Sequence, residues 1–190
     1  MHVIRAIDCR VMPWKNGGGV TTEIAISPPD ASLDDFGWRI SMAQVASDGA
    51  FSRFPGIDRT LAVLAGPGIT LAFADGKSVV LTSDGPPYAF DGACSVEGRL
   101  LAGPITDLNV MTRGNHWQQH VRRLAGPGRL ALAASGDRLI FAVSAGHWTI
   151  GEAQIGIGDS VVLEHGEQGL LTGDEAAVGF AIDLHAKTPA

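Results

Sequence analysis

The sequence predicts an all-β fold of two jelly-roll barrels in one chain, on three observations. Twenty-five glycines and ten prolines punctuate short apolar runs, and apolar residues almost never recur at the three-to-four-residue spacing of an amphipathic helix. The runs fall at regular intervals between turn signals, as the strands of a sandwich or barrel do. The third observation is an internal echo. Leu61-Ala62-Val63-Leu64-Ala65-Gly66 recurs as Phe141-Ala142-Val143-Ser144-Ala145-Gly146, and Leu100-Leu101-Ala102-Gly103 recurs as Leu170-Leu171-Thr172-Gly173. Two echoes in the same order predict two related modules. Residues 1–115 are expected to form the first barrel, which carries a ligand pocket, and residues 116–190 a second, smaller one.

In chain order, the first candidate strand is Val3 to Ile7. Thr21 to Ile26 follows, with polar residues at alternate positions. Trp38 to Val45 has Arg39 and Ser41 on one face and Trp38, Ile40 and Met42 on the other, the period of two that a strand imposes. A Pro55-Gly56 turn precedes Arg59 to Ala65, and Ile69 to Phe73, Lys77 to Leu81 and Ala93 to Leu101 are further short runs between turn residues. Leu108 to Thr112 closes the first module, with Asp107 and Asn109 sharing a face. The segment Gly114 to Gly128 is the seam, and His116-Trp117-Gln118-Gln119-His120-Val121 opens the second module. There the strands are Arg129 to Ala134, Leu139 to Ser144, Trp148 to Ile150, Ala153 to Ile155, Ser160 to Glu164, Gly169 to Thr172 and Ala177 to Leu184. Gly158-Asp159 makes the bend before Ser160, a turn-then-strand form that recurs in small jelly rolls. Helix is expected for a turn or two at most.

Composition narrows the function. Hydrophobic residues make up 45% of the 190, enough for a folded core. Charged residues are 18% and the net charge is −6 with no basic run, which argues against nucleic acid or an anionic membrane as partner. No run approaches the ~20 apolar residues of a membrane span and no secretory leader is evident, so a cytoplasmic location is expected. Cys9 and Cys94 are too few and too far apart for a disulfide framework and read as reduced thiols.

The stretch richest in chemistry is Met12-Pro13-Trp14-Lys15-Asn16-Gly17-Gly18-Gly19, running into Val20-Thr21-Thr22-Glu23. Three glycines leave backbone amides uncovered, and Trp14, Lys15, Asn16 and Glu23 supply a flat wall, a point charge, an amide and a carboxylate. Arg39, Ser41, Asp107 and Asn109 sit at alternate strand positions. Turned inward, they line a pocket for a small carboxylate, since a guanidinium offers a planar two-point fit to one; turned outward, they are solvated edges. In Asp48-Gly49-Ala50-Phe51-Ser52-Arg53-Phe54-Pro55-Gly56-Ile57-Asp58-Arg59, the phenylalanines are expected to pack the loop down. Arg59 has two readings of equal weight: a structural partner of Asp58 or Glu23, or a ligand contact.

Other chemistries lack their signatures. His2, His116, His120, His147, His165 and His185 include no His-x-His pair, and His116 and His120 would share a face only on a helix, so no metal or other cofactor is expected. No Gly-x-Ser-x-Gly is present, and the glycine run lacks the Lys-Ser/Thr of a phosphate loop.

Four blocks, Met12 to Gly19 with Thr21 and Glu23, Trp38-Arg39-Ile40-Ser41, Gly49 to Ser52 through Phe54 to Arg59, and Asp107-Leu108-Asn109-Val110-Met111, together resemble the HutD/Ves family. They fall in order over the first 115 residues or so. The resemblance implies a bicupin of two cupin-like jelly rolls and a bacterial cytoplasmic protein linked to histidine utilisation. It also implies binding of a small pathway intermediate such as urocanate or formylglutamate and moderation of the pathway, with no established enzymatic reaction. Carried over by position, the ligand-binding residues are Trp14, Lys15, Asn16, Gly17, Gly18, Thr21, Glu23, Arg39, Ser41, Ser52, Arg59, Asp107 and Asn109. Gly114 departs from the pattern, standing where a second arginine is expected after Arg113.

Three functions follow. The leading one is metal-free regulatory binding of a small carboxylate, held by Lys15 and Arg39 with Asn16 and the glycine amides at its other end. The rival is a metal-free isomerase or epimerase with Glu23 or Asp107 as general base and Lys15 as acid or electrostatic stabiliser. The third is a protein-binding role, which requires an exposed apolar patch. A homodimer through an edge strand is compatible with each.

Overall fold

The computed structural model describes residues 1–14 and 17–188. It is all-β apart from one 3₁₀ turn at Ala6–Asp8. The strands are β1 His2–Ile4, β2 Arg10–Pro13, β3 Gly19–Ser27, β4 Trp38–Val45, β5 Gly49–Ala50, β6 Ile57–Ala65, β7 Ile69–Phe73, β8 Ser78–Leu81, β9 Tyr88–Asp91 and β10 Val96–Leu100. They continue as β11 Ile105–Arg113, β12 Trp117–Ala125, β13 Gly128–Ala133, β14 Arg138–Ala145, β15 Trp148–Ile150, β16 Ala153–Ile155, β17 Ser160–Glu164, β18 Gln168–Gly173 and β19 Val178–Ala186. Among the described residues, no helix is long and apolar enough to cross a membrane.

The chain divides into two units. One is Arg10–His116; the other is Met1–Cys9 together with the chain from Trp117 onward. In the first unit a six-stranded sheet, β2-β3-β4-β11-β6-β9, accompanies a four-stranded one, β5-β10-β7-β8. In the second, a five-stranded sheet, β1-β17-β14-β19-β12, accompanies β13-β18-β15-β16. The orders superpose: β4-β11-β6-β9 corresponds to β12-β19-β14-β17, and β5-β10-β7-β8 to β13-β18-β15-β16. The repeat is therefore architectural. The first echo falls on the equivalent strands β6 and β14. The second lies on β18 but only begins at the end of β10, and is out of register, since Leu100 pairs with Ile69 whereas Gly173 pairs with Trp148.

One boundary moves. Residues 1–9, expected in the first barrel, pair with the second unit: β1 lies against β17 with His2 opposite Val162. Asp159 fixes the connection beyond it, accepting from Arg5 Nη1 at 2.7 Å and from the Ala6 N–H at 3.0 Å. Its own turn, Gly156 to Asp159, is closed by the Asp159 N–H on the Gly156 carbonyl at 3.0 Å, and Gly158 takes φ +84°, which favours glycine. A carboxylate at the bend thus serves two segments, and sequence spacing carries no trace of the second.

Each unit has its own core. In the second, Trp148 and Phe141 meet edge to face at 5.1 Å, both fully buried, and burying such a ring stabilises by roughly 1.5–3 kcal/mol. Gly179 makes room for them, because a Cβ there would stand 2.3 Å from Phe141 Cζ. In the first unit Leu61, Val63, Ile69 and Leu71 are buried between its sheets, with Phe73, Tyr88 and Phe90 packed against them. The strands beyond the sequence reading include β9 and β12. In β12, half-buried and exposed residues alternate over Trp117 to Val121, so its polar pattern hides a sheet edge.

Candidate functional site

The inward face of the six-stranded sheet forms a ladder of three rungs. Met111 of β11 lies between Arg39 of β4 and Arg59 of β6. Two residues along, Asn109 lies between Ser41 and Leu61, with Glu23 of β3 beside Ser41. Asp107 comes next, between Ala43 and Val63, with Thr21 beside Ala43. Successive rungs are about 7 Å apart, the rise of two strand residues. A register shift between Glu23 and Ala25 leaves Ile24 as the extra residue and buries it. This bulge keeps Glu23 on the ladder's face, diagonal to Arg39.

Facing the ladder is a cavity of about 470 Å³. Its other walls include Ala50, Phe51, Ile69 and Gly98, and Met12, Pro13, Trp14 and Gly18 border it near the glycine run. Gly98 is needed there, since a Cβ would stand 2.6 Å from the Phe51 ring. Gly19 likewise lets Trp14 lie close, because a Cβ would come within 2.9 Å of its ring. Trp14 Nε1 donates to Thr21 Oγ1 at 2.8 Å and its backbone N–H to the Gly19 carbonyl at 2.9 Å. Leu33 also borders the cavity while half exposed.

The two arginines differ. Arg39 donates from Nε to Glu23 Oε2 at 2.6 Å, with Ser41 Oγ 3.5 Å from Nη1. Arg59, 3% exposed, donates from Nη1 to the Ser52 carbonyl at 3.0 Å. Its guanidinium lies 5.4, 5.6 and 5.2 Å from the ring centres of Phe51, Phe54 and Phe90, a cation–π setting. Its Nε has no hydrogen-bond partner. Burial lowers the Arg59 pKa to about 10, opposed by the charge of Asp107, so it remains a cation at neutral pH. Burial pushes Asp107 up to about 7, while Arg59 and the Ala43 backbone N–H pull it down. Asp107 Oδ1 and Asn109 Oδ1 are buried without partners.

Of the residues expected at the site, Trp14, Gly18, Thr21, Arg39, Ser41, Ser52, Arg59, Asp107 and Asn109 line the cavity. Glu23 is not on its lining and is paired with Arg39; Gly17, with φ +70°, shapes the turn rather than the wall. Lys15 and Asn16 lie outside the described residues. Phe51 and Phe54, expected as loop anchors, pack into the apolar clusters and also border the cavity. Asp48, absent from the expected set, lines the cavity too, its Oδ1 accepting the Leu100 N–H at 2.8 Å; its place beside Gly49 was the available signal. Among the described residues no three His, Cys, Asp or Glu side chains gather as metal ligands. The arrangement offers one buried cation with an unused donor, which suits a small anion, beside two unused acceptors, which call for donors.

A model of the HutD family matches residues 6–180. A Pseudomonas putida protein described as an uncharacterized 21.2 kDa protein in the hutC 3′ region is 38% identical over 144 residues, 76% of this chain and 74% of its own. Protein Ves of Escherichia fergusonii is 38% identical over 149 residues, 76% of this chain and 75% of its own. The structure of HutD from Pseudomonas fluorescens SBW25 superposes with a TM-score of 0.84 at 29% identity, covering 98% of this chain and 99% of that one. At 8% identity, YhhW from Escherichia coli reaches 0.68 over 100% of this chain and 98% of its own, a likeness of cupin-like fold alone. The chain belongs to the HutD family.

Proposed function

We propose that this protein is a metal-free, cytoplasmic binding protein that moderates histidine utilisation by holding a small carboxylate, urocanate or formylglutamate, in the cavity of its first unit. One observation carries the reading: Arg59 keeps a buried guanidinium in the cavity with Nε unpartnered. A carboxylate oxygen would satisfy that donor and offset the cost of the buried charge. Arg39, engaged by Glu23, has less to offer than the sequence suggested, and Lys15 is given a share in holding the same carboxylate. The naming of one relative for the hutC region and of another as HutD supports the pathway.

The test is a thermal-shift panel on metal-stripped protein with urocanate, formylglutamate, glutamate and histidine. A ligand at a hundred times its Kd adds about 2.7 kcal/mol to stability. A raised midpoint with urocanate or formylglutamate that vanishes in Arg59→Met and shrinks in Lys15→Ala supports the reading; no shift with either compound overturns it.

A second reading has its own observation. Asp107, buried in the cavity and raised to about 7, has the pKa of a general base near working pH. It favours an isomerase or epimerase, with Asp107 rather than Glu23 as base. Exchange of a ligand carbon-bound hydrogen with D₂O, followed by NMR, would support it.

A further inference from the structure

We propose that the cavity takes up its carboxylate ligand together with one proton, and that Asp107 holds that proton. The proposal rests on the binding reading above and adds how the site manages charge.

The groups facing Asp107 can be named element by element. From β6 comes Arg59, whose charge acts on it directly. From β4 comes Arg39, already neutralised by Glu23 of β3. The segment after β4 brings Asp48, its Oδ1 engaged by the Leu100 N–H. The four-stranded sheet contributes Gly49, Ala50, Ile69 and Gly98 to the cavity, none of them titratable. Among the described residues, Asp107 is the carboxylate whose charge acts on Arg59.

A ligand carboxylate on Arg59 would put two carboxylates around one buried guanidinium, and like charges in such a place do not both stay ionised. The unused atoms point the same way. Arg59 Nε is a donor without an acceptor, and Asp107 Oδ1 carries no bond in the free protein. A neutral Asp107 turns its carboxyl into an O–H donor, so arginine and aspartic acid together supply donors for the two oxygens of one carboxylate. Burial has already brought Asp107 close to protonation at neutral pH.

The experiment is titration calorimetry of the full chain with urocanate, and separately with formylglutamate, between about pH 7 and 9, where the urocanate ring is essentially neutral and lysines keep their protons. Each pH is run in two buffers of different ionisation enthalpy. Toward the upper end affinity should fall about tenfold per pH unit, with uptake approaching about one proton per ligand. Asp107→Asn should flatten the profile and bind more tightly than the parent protein at about pH 9; should that variant fail to fold, the buffer comparison on the parent decides. Affinity level across the range, with heats independent of buffer, overturns proton uptake and leaves the binding reading standing. Absence of binding by both urocanate and formylglutamate at every pH overturns both.

Discussion

Arg39, buried, and Glu23, partly buried, form an ion pair at 2.6 Å, across a bulge that turns the carboxylate onto the same face as the guanidinium. Removing one partner leaves the other charged and unpaired. Glu23→Gln should lower the unfolding free energy by about 3 kcal/mol, and the double variant Glu23→Gln, Arg39→Met should recover much of the loss. Urea denaturation of the parent protein and the two variants checks this; a double variant no more stable than the single one would contradict it.

Arg59 is held differently, by three aromatic rings and one carbonyl. Lysine at this position keeps the charge but not the planar fork. Arg59→Lys should therefore fold and bind urocanate more weakly by roughly 1.5–3 kcal/mol, read by calorimetry. Unchanged affinity would move the carboxylate away from Arg59.

Asp107 also sets a pH dependence on stability. Its pKa is raised to about 7 in the folded state, against an ordinary value near 3.9, so between those values the folded chain binds more protons than the unfolded one. Stability from this group is full below about pH 4 and is lost as pH rises toward about 7, by roughly 1.4 kcal/mol per pH unit at the steepest. Asp107→Asn should remove that slope. Thermal midpoints of both proteins from about pH 4 to 8 give the comparison, and parallel curves would contradict it.

Asp159 should behave oppositely. Burial raises its pKa, but the Ala6 and Gly156 N–H groups and Arg5 outweigh burial and hold it below the usual carboxylate range. Its contribution is present above the ordinary value and is lost as pH falls through the lowered one. Asp159→Ala should release residues 1–9, with a loss of about 1–3 kcal/mol and faster trimming of that segment by protease. Trimming at the parent rate would show that β1 holds by its strand pairing alone.

Much of this was legible in the residues. The period of two in Arg39 and Ser41, and in Asp107 and Asn109, placed four polar side chains on one face, and the cavity lies on that face. Arg59 could be read two ways because spacing does not reveal a partner brought in from β11. Phe90 escaped notice because it approaches Arg59 by strand pairing, not by sequence proximity. The bulge at Ile24 had no signature, since it shows only as a register shift against β4. The second echo only begins at the end of β10 and lies out of register, a reminder that Leu- and Gly-rich segments match readily by composition.

The placement of β1 has a consequence for how the chain is made. Arg5 meets Asp159 across 154 residues of sequence. During vectorial synthesis β1 emerges early, yet its neighbour β17 appears only after the whole first unit has been produced. The first unit can collect all its strands from one continuous stretch, whereas the second must wait for a contact of very high order, which slows folding. Until then β1 is an unsatisfied edge, short enough at three residues to offer other chains little to pair with.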